Sequence, residues 1–225
     1  MHDHQTEAEH HMGSSIPDRV ATRMLTGVSS KLWDLRANLM EDIVDQHGPV
    51  RSVSWFAKNM PTYEKILGEW GPLRTHFIAT AISIVNGCEY CAYGHAYAFQ
   101  LHFFEQRDEL YSISEQDMIA LISSEGDPDP ALEEKRQETA VKVLEQSLAD
   151  SGLPDEIPVM QRALELRETR EAVSEDDKRL LHLVDMFLFL NSCGINGSAV
   201  PDGAHDPINK NNELQDRYRA ARAGS

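Results

Sequence analysis

The stretch LRTHFIATAISIV (residues 73–85), followed at once by NGCEYCAYGH (residues 86–95), decides the fold of this chain. The first part is a nearly continuous apolar run whose β-branched residues would suit a strand. It is too long for that: strands occupy about 4–8 residues, buried helices at least about 10–12. Asn86-Gly87 then punctuates the chain, with Gly87 a natural helix C-cap, so a second helix is expected from Cys88 or Glu89 to about Leu110.

Outward from this pair the sequence keeps reading as helix. Upstream, Ser29 or Ser30 is expected to cap a helix from Lys31 through Leu32, Leu35, Leu39 and Ile43 to Gly48-Pro49. A second segment carries Val53, Phe56, Ala57 and Met60 and is expected to break at Pro61, with a short helix from Tyr63 to Trp70. Downstream, Ser114 with Asp117 forms a capping-box variant for a short helix through Ile122. Asp129-Pro130 opens a helix reaching Gly152, beyond a Gly126-Asp127-Pro128 loop. Met160–Arg170 forms another, and Ser174 with three following acids starts a last one carrying Leu180, Leu181, Val184, Phe187, Leu188 and Leu190. No period-two pattern survives, so the fold class is all-α. The expected division is a polar N-terminal arm over 1–18, rich in His2, His4, His10 and His11, a helical domain over 19–200, and a polar C-terminal tail over 201–225.

Composition narrows the function. The 225 residues include 37 acidic and 21 basic ones, for a formal net charge of −16. That field repels nucleic acid and anionic membrane surfaces. No stretch has the roughly 18–20 apolar residues of a membrane span, and no secretory signal is evident, so a cytoplasmic location is expected. Three cysteines cannot form a disulfide framework, and in a reducing compartment a close pair points to metal binding or redox chemistry.

Cys88 and Cys91 are three apart at a helix start, on one side of the helix, where partial positive charge and free N–H groups stabilise a thiolate. His95 lies one turn beyond Cys91, placed to exchange a proton with that sulfur. A bare C-x-x-C also serves as a structural pair or as half of a zinc site, with His95 and either His76 or His182 completing four ligands. His102 is too far along the helix, some 20 Å from Cys88 at about 1.5 Å per residue, to share an ion with it. Cys193, after an apolar helix, is expected to be buried and inert. Tyr90, Tyr93, Tyr97, Phe99, Phe103 and Phe104 are expected to line the core, subunit contacts or a pocket wall, and Trp33, Trp55 and Trp70 to anchor packing.

Asn-Gly-Cys-Glu-Tyr-Cys followed by three residues and His resembles the signature of alkylhydroperoxidase D-like proteins, in the carboxymuconolactone decarboxylase superfamily. The likeness is most specific over 73–100 and extends loosely over 30–195. It implies an all-helical bundle that assembles as a trimer or hexamer and reduces hydroperoxides without a cofactor other than its thiols. By the same resemblance Cys91 attacks the peroxide, Cys88 resolves the sulfenic acid as a disulfide, and His95 relays protons. A dithiol reductant, in some relatives a lipoyl-bearing protein, then restores the pair. The family places a glutamate twelve residues before the first cysteine; His76 stands there in this chain. An imidazole can accept a proton but cannot steady a neighbouring imidazolium as a carboxylate would. Glu69, Glu89 and Glu105 are the acids that could substitute. Two other functions fit the motif: a general disulfide oxidoreductase without peroxide specificity, and a non-enzymatic zinc-binding helical module.

Overall fold

The computed structural model describes residues 15–122 and 130–224. It is all-α, and among the described residues there is no strand. Among the described residues ten α-helices follow one another: α1 (Ile16–Trp33), α2 (Leu39–His47), α3 (Pro49–Trp70), α4 (Pro72–Asn86), α5 (Glu89–Arg107), α6 (Glu115–Ile119), α7 (Pro130–Asp150), α8 (Ile157–Thr169), α9 (Glu175–Ile195) and α10 (Asn212–Ala223).

The run at 73–85 forms α4, and every residue from Thr75 to Val85 is buried. A helix apolar on all sides has no solvent face to keep, so it becomes the axis around which the others pack. Accordingly α3, α5, α7, α8 and α9 all lie against it. Gly87 ends α4 at φ +82°, a left-handed conformation that a side chain would strain. The Cys88 N–H then returns to the Ser83 carbonyl at 2.9 Å, and α5 departs antiparallel, only two residues after α4. That hairpin brings position 76 opposite position 95.

Several boundaries differ from expectation, each for a local reason. The expected helix from Lys31 to Gly48 is two: Asp34 takes a left-handed conformation after Trp33, and α2 restarts at Leu39. α1 begins instead at Ile16, inside the expected arm, under a Ser15/Asp18 capping box. The break expected at Pro61 does not occur, and α3 runs through it. Proline there removes a bond to the Ala57 carbonyl, but Ala57 is exposed and water can serve that group. The helix from Ser114 stops at Ile119, though its Ser114/Asp117 box forms as expected, and Ser174 starts the last long helix as expected, with a further box to Asp177. The expected loop at 126–128, the Asp129 cap and residues 1–14 lie outside the described residues.

Residues 201–224, expected as a polar tail, fold back onto α5. Ala204, Ile208, Leu214 and Tyr218 are buried against Tyr97, Ala98, Leu101 and Phe104. Tyr218 donates its hydroxyl to Glu115 at 2.5 Å, and Arg222 reaches Gln100 at 2.8 Å. Among the described residues, no helix is long and apolar enough to cross a membrane.

Candidate active site

Cys88 occupies the N-cap of α5 in extended conformation, and its Sγ accepts the Cys91 N–H at 3.4 Å. Both sulfurs flank Gly194 of α9: a Cβ on that glycine would lie 2.7 Å from Cys88 Sγ and 3.9 Å from Cys91 Sγ. Cys193 is buried in the same cluster as the pair. All three are free thiols.

The two thiols of the motif are not electrically alike. A hydrogen bond from the Cys91 side chain, together with the Cys91 and Tyr90 N–H groups, lowers the Cys88 pKa in spite of burial. Burial raises that of Cys91 well above the ordinary thiol range, and the Cys88 charge beside it adds to the rise. The negative charge that this pair can carry therefore rests on Cys88, with Cys91 held as the thiol. Cys193 is pushed up to about 11 by burial, then by Asp42 and Cys88.

Cys91 and His95 line one small cavity of about 40 Å³ with Trp33, Tyr63, Tyr90 and His205. Behind it His95 Nδ1 sits 2.9 Å from His76 Nδ1, and His76 Nε2 sits 2.9 Å from Asp206 Oδ2. His102 Nε2 meets the other oxygen of Asp206 at 3.0 Å, and the Ile208 N–H caps that oxygen at 2.7 Å. Burial alone would raise the Asp206 pKa, but the hydrogen bonds from His102 and His76 hold it well below the usual carboxylate range. Burial lowers both His76 and His95, so both rings are neutral near pH 7.

These contacts fix the tautomers by elimination. A carboxylate only accepts, so His76 carries its proton on Nε2 and donates it to Asp206. Neutral His76 then has a bare Nδ1, which only accepts, so His95 carries its proton on Nδ1. His95 Nε2 is left as the basic nitrogen. Asp206, at the far end of a two-ring chain, thus sets the base at the near end.

The helix hairpin accordingly brings together Cys88, Cys91, His95 and His76 as the sequence placed them. It adds Asp206 and His205, which sequence reasoning missed. Asp206 supplies the carboxylate that position 76 lacks. Glu69 is on the surface with Lys65 and Arg179, Glu89 is exposed, and Glu105 comes only within 3.9 Å of His102. His102, too far along the helix to share an ion with Cys88, is tied into the site through Asp206. His182 is not part of it, being bonded to the Asn59 carbonyl at 3.3 Å. Among the described residues, the group with metal-ligand spacing is His76, His102 and Asp206, whose candidate atoms lie within 4.8 Å of one another. The cysteines are not part of that group. Of the aromatic residues, Tyr90 lines the cavity, whereas Phe99 and Phe103 pack with Phe77 and Tyr111 in the core.

Compared with protein-family models, curated proteins and solved structures, the chain shows no match.

Proposed function

We propose that this protein is a thiol-dependent peroxidase that reduces a hydroperoxide through Cys88 and Cys91. One observation carries this reading: Cys91 shares a cavity with His95, whose basic nitrogen is set by the hydrogen-bonded chain to Asp206. The likeness of the 86–95 segment to alkylhydroperoxidase D-like proteins points the same way.

In the reaction, His95 Nε2 takes the Cys91 thiol proton. The resulting imidazolium passes its Nδ1 proton to His76, so the positive charge comes to rest beside the Asp206 carboxylate. The Cys91 thiolate attacks the outer peroxide oxygen. An S–O bond forms, the O–O bond breaks, and sulfur gives two electrons to the peroxide. The departing alkoxide takes a proton back from His95 and leaves as an alcohol. Cys88, the thiol of the pair whose pKa is lowered, then attacks Cys91 Sγ as its proton leaves. The S–S bond forms and the S–O bond breaks, releasing hydroxide that takes up a proton as water. A dithiol reductant returns the disulfide to two thiols. His76 and Asp206 act as positioning residues in this scheme. The division of labour follows from the electrostatics: the attacking thiol, whose proton is hard to lose, has the base, and the resolving thiol needs none.

With a small dithiol as reductant, Cys91→Ser should abolish hydroperoxide turnover. Cys88→Ala should let a Cys91 sulfenic acid accumulate, trapped by a cyclic 1,3-dione and located by peptide mass spectrometry. Undiminished turnover in Cys91→Ser sinks the proposal. Faster reaction with a protein disulfide than with any hydroperoxide would replace it with general disulfide exchange.

A further inference from the structure

Among the buried side-chain polar atoms of the described residues that have no hydrogen-bond partner, two belong to side chains lining the Cys91 cavity: Tyr63 Oη and His205 Nε2. Leaving either group unpaired in a protein interior is destabilising, so a pair of them around one small space is a binding arrangement in search of its ligand. His205 is held firmly for such a role. Its backbone N–H donates to the Gly94 carbonyl at 3.0 Å, and its ring stacks on Trp33 with centroids 6.1 Å apart. It also stands edge-on to His95 at 5.3 Å. The ring fits only because residue 94 is glycine, where a Cβ would come within 2.3 Å of it. The nearest acidic oxygen, Asp202 Oδ1, is 3.6 Å from His205 Nε2, beyond hydrogen-bond reach. Tyr63 is 3% exposed, packed edge-on to Phe187 at 6.4 Å.

Size says what fits. A water molecule needs about 10–15 Å³ of such space, so the cavity of about 40 Å³ has room for about three such groups. That is the two oxygens of a hydroperoxide and the carbon bearing them. The cavity shares its walls with a larger space. Trp33, Met40, Phe56 and Met60 line it and also line an apolar groove of about 580 Å³ between α1 and α3. Met24, Val28 and Leu32 of α1 form the outer wall of that groove, and they are 43–50% exposed despite being apolar.

Resting on the peroxidase reading above, we propose that Tyr63 and His205 bind the two oxygens of a hydroperoxide carrying an extended, unbranched hydrocarbon chain, which lies in the α1–α3 groove. Tyr63 donates to one peroxide oxygen and His205 holds the other, aligning the O–O bond with Cys91 Sγ. Two methionines, Met40 and Met60, and the aromatic pair Trp33 and Phe56 line both spaces and give walls that adjust to a flexible chain. The chain, rather than the peroxide group, supplies most of the affinity, because each methylene removed from water improves binding about fourfold.

The test is a homologous series of n-alkyl hydroperoxides, with hydrogen peroxide as the chainless member. The readout is stopped-flow disulfide formation in the reduced full-length protein. The expected result is kcat/KM rising by about threefold to fourfold per methylene through KM, then levelling once the groove is full. Tyr63→Phe should lower kcat/KM about tenfold for every member, hydrogen peroxide included, without lowering the thermal midpoint, since the hydroxyl removed has no partner inside the protein. Ala57→Trp, at an exposed groove position, should bring the long-chain to short-chain ratio toward one. Calorimetry should show 1-decanol binding more tightly than 1-hexanol to the reduced protein. A flat chain-length series, with alkanols not binding, overturns the proposal while leaving the peroxidase reading intact. Absence of reaction with every hydroperoxide overturns both.

Discussion

Asp206→Asn is the sharpest perturbation of the site, because it removes a charge and almost no volume. Asp206 Oδ1 accepts from Ile208 N–H and His102 Nε2, and Oδ2 accepts from His76 Nε2. An asparagine has a single acceptor oxygen, and the two donors at the Oδ1 position will claim it. The amide nitrogen then faces His76 Nε2, donor against donor. Relief comes if His76 moves its proton to Nδ1, which forces His95 to move its own to Nε2. The base that should take the Cys91 proton would then already carry one. Restoring the active tautomer means accepting a mismatched buried pair, about 1–3 kcal/mol, and the charge-assisted bond to the His76 cation, about 1.5–3 kcal/mol, is gone as well. At about 1.4 kcal/mol per tenfold, the rate of Cys91 oxidation should fall by about 10²–10⁴-fold. Stopped-flow peroxide consumption measures that loss, and ¹⁵N chemical shifts of the His95 ring report the tautomer directly. A drop of less than about fivefold, or a His95 that keeps its proton on Nδ1 in the variant, would refute the reasoning.

Gly194→Ala places a Cβ 2.7 Å from Cys88 Sγ, so it should slow disulfide closure and lower stability by about 1–3 kcal/mol, read by denaturant titration. Cys193, pushed up to about 11, should resist iodoacetamide at pH 8 in the folded protein and react fully in denaturant, while Cys193→Ala leaves peroxide turnover within about twofold. Stability should decline as pH falls below about 6.5. The buried His76 and His95 have lowered pKa values, so in that window the unfolded chain binds protons that the folded one does not. The slope should approach about 2.7 kcal/mol per pH unit for the two rings. The depressed Asp206 acts in the same direction at lower pH, its contribution being complete above about 3.9 and lost as pH falls toward its folded value. A slope of about half that size would mean that one ring is charged in the folded state, and stability that is level between pH 7 and 5 that both are.

The central hairpin was legible because its signals are local. A long apolar run, a glycine C-cap and a cysteine at an N-cap each act within one turn, so α4 and α5 fall within a few residues of where the sequence put them. The misreadings came where tertiary surroundings decide. Proline at 61 is a breaker by its own chemistry, yet an exposed carbonyl one turn back removes most of the penalty. α1 was hidden by a polar, histidine-rich leader, although the Ser15-Ile16-Pro17-Asp18 box and the Ala21/Leu25 spacing do mark it.

The site shows the same division between near and far. Cys88, Cys91 and His95 lie on adjoining turns, so their spacing alone defines them. The carboxylate behind them is 130 residues from His76 in the chain. What marks it in the sequence is faint: Asp206 before Pro207 is a cap signal, and Leu214 with Tyr218 gives the next helix a buried face. Neither says that the cap would double as a relay. Position 76 is nonetheless informative in retrospect. It faces a core in which a carboxylate would be fully buried against His95. An imidazole there is neutral and bridges outward to a carboxylate that has three donors to satisfy it. Moving the acid one ring further from the sulfur thus lets the charge sit where Ile208 N–H and His102 can solvate it. Under the proposed mechanism the base at His95 keeps its orientation, and the buried end of the chain stays uncharged until Cys91 gives up its proton.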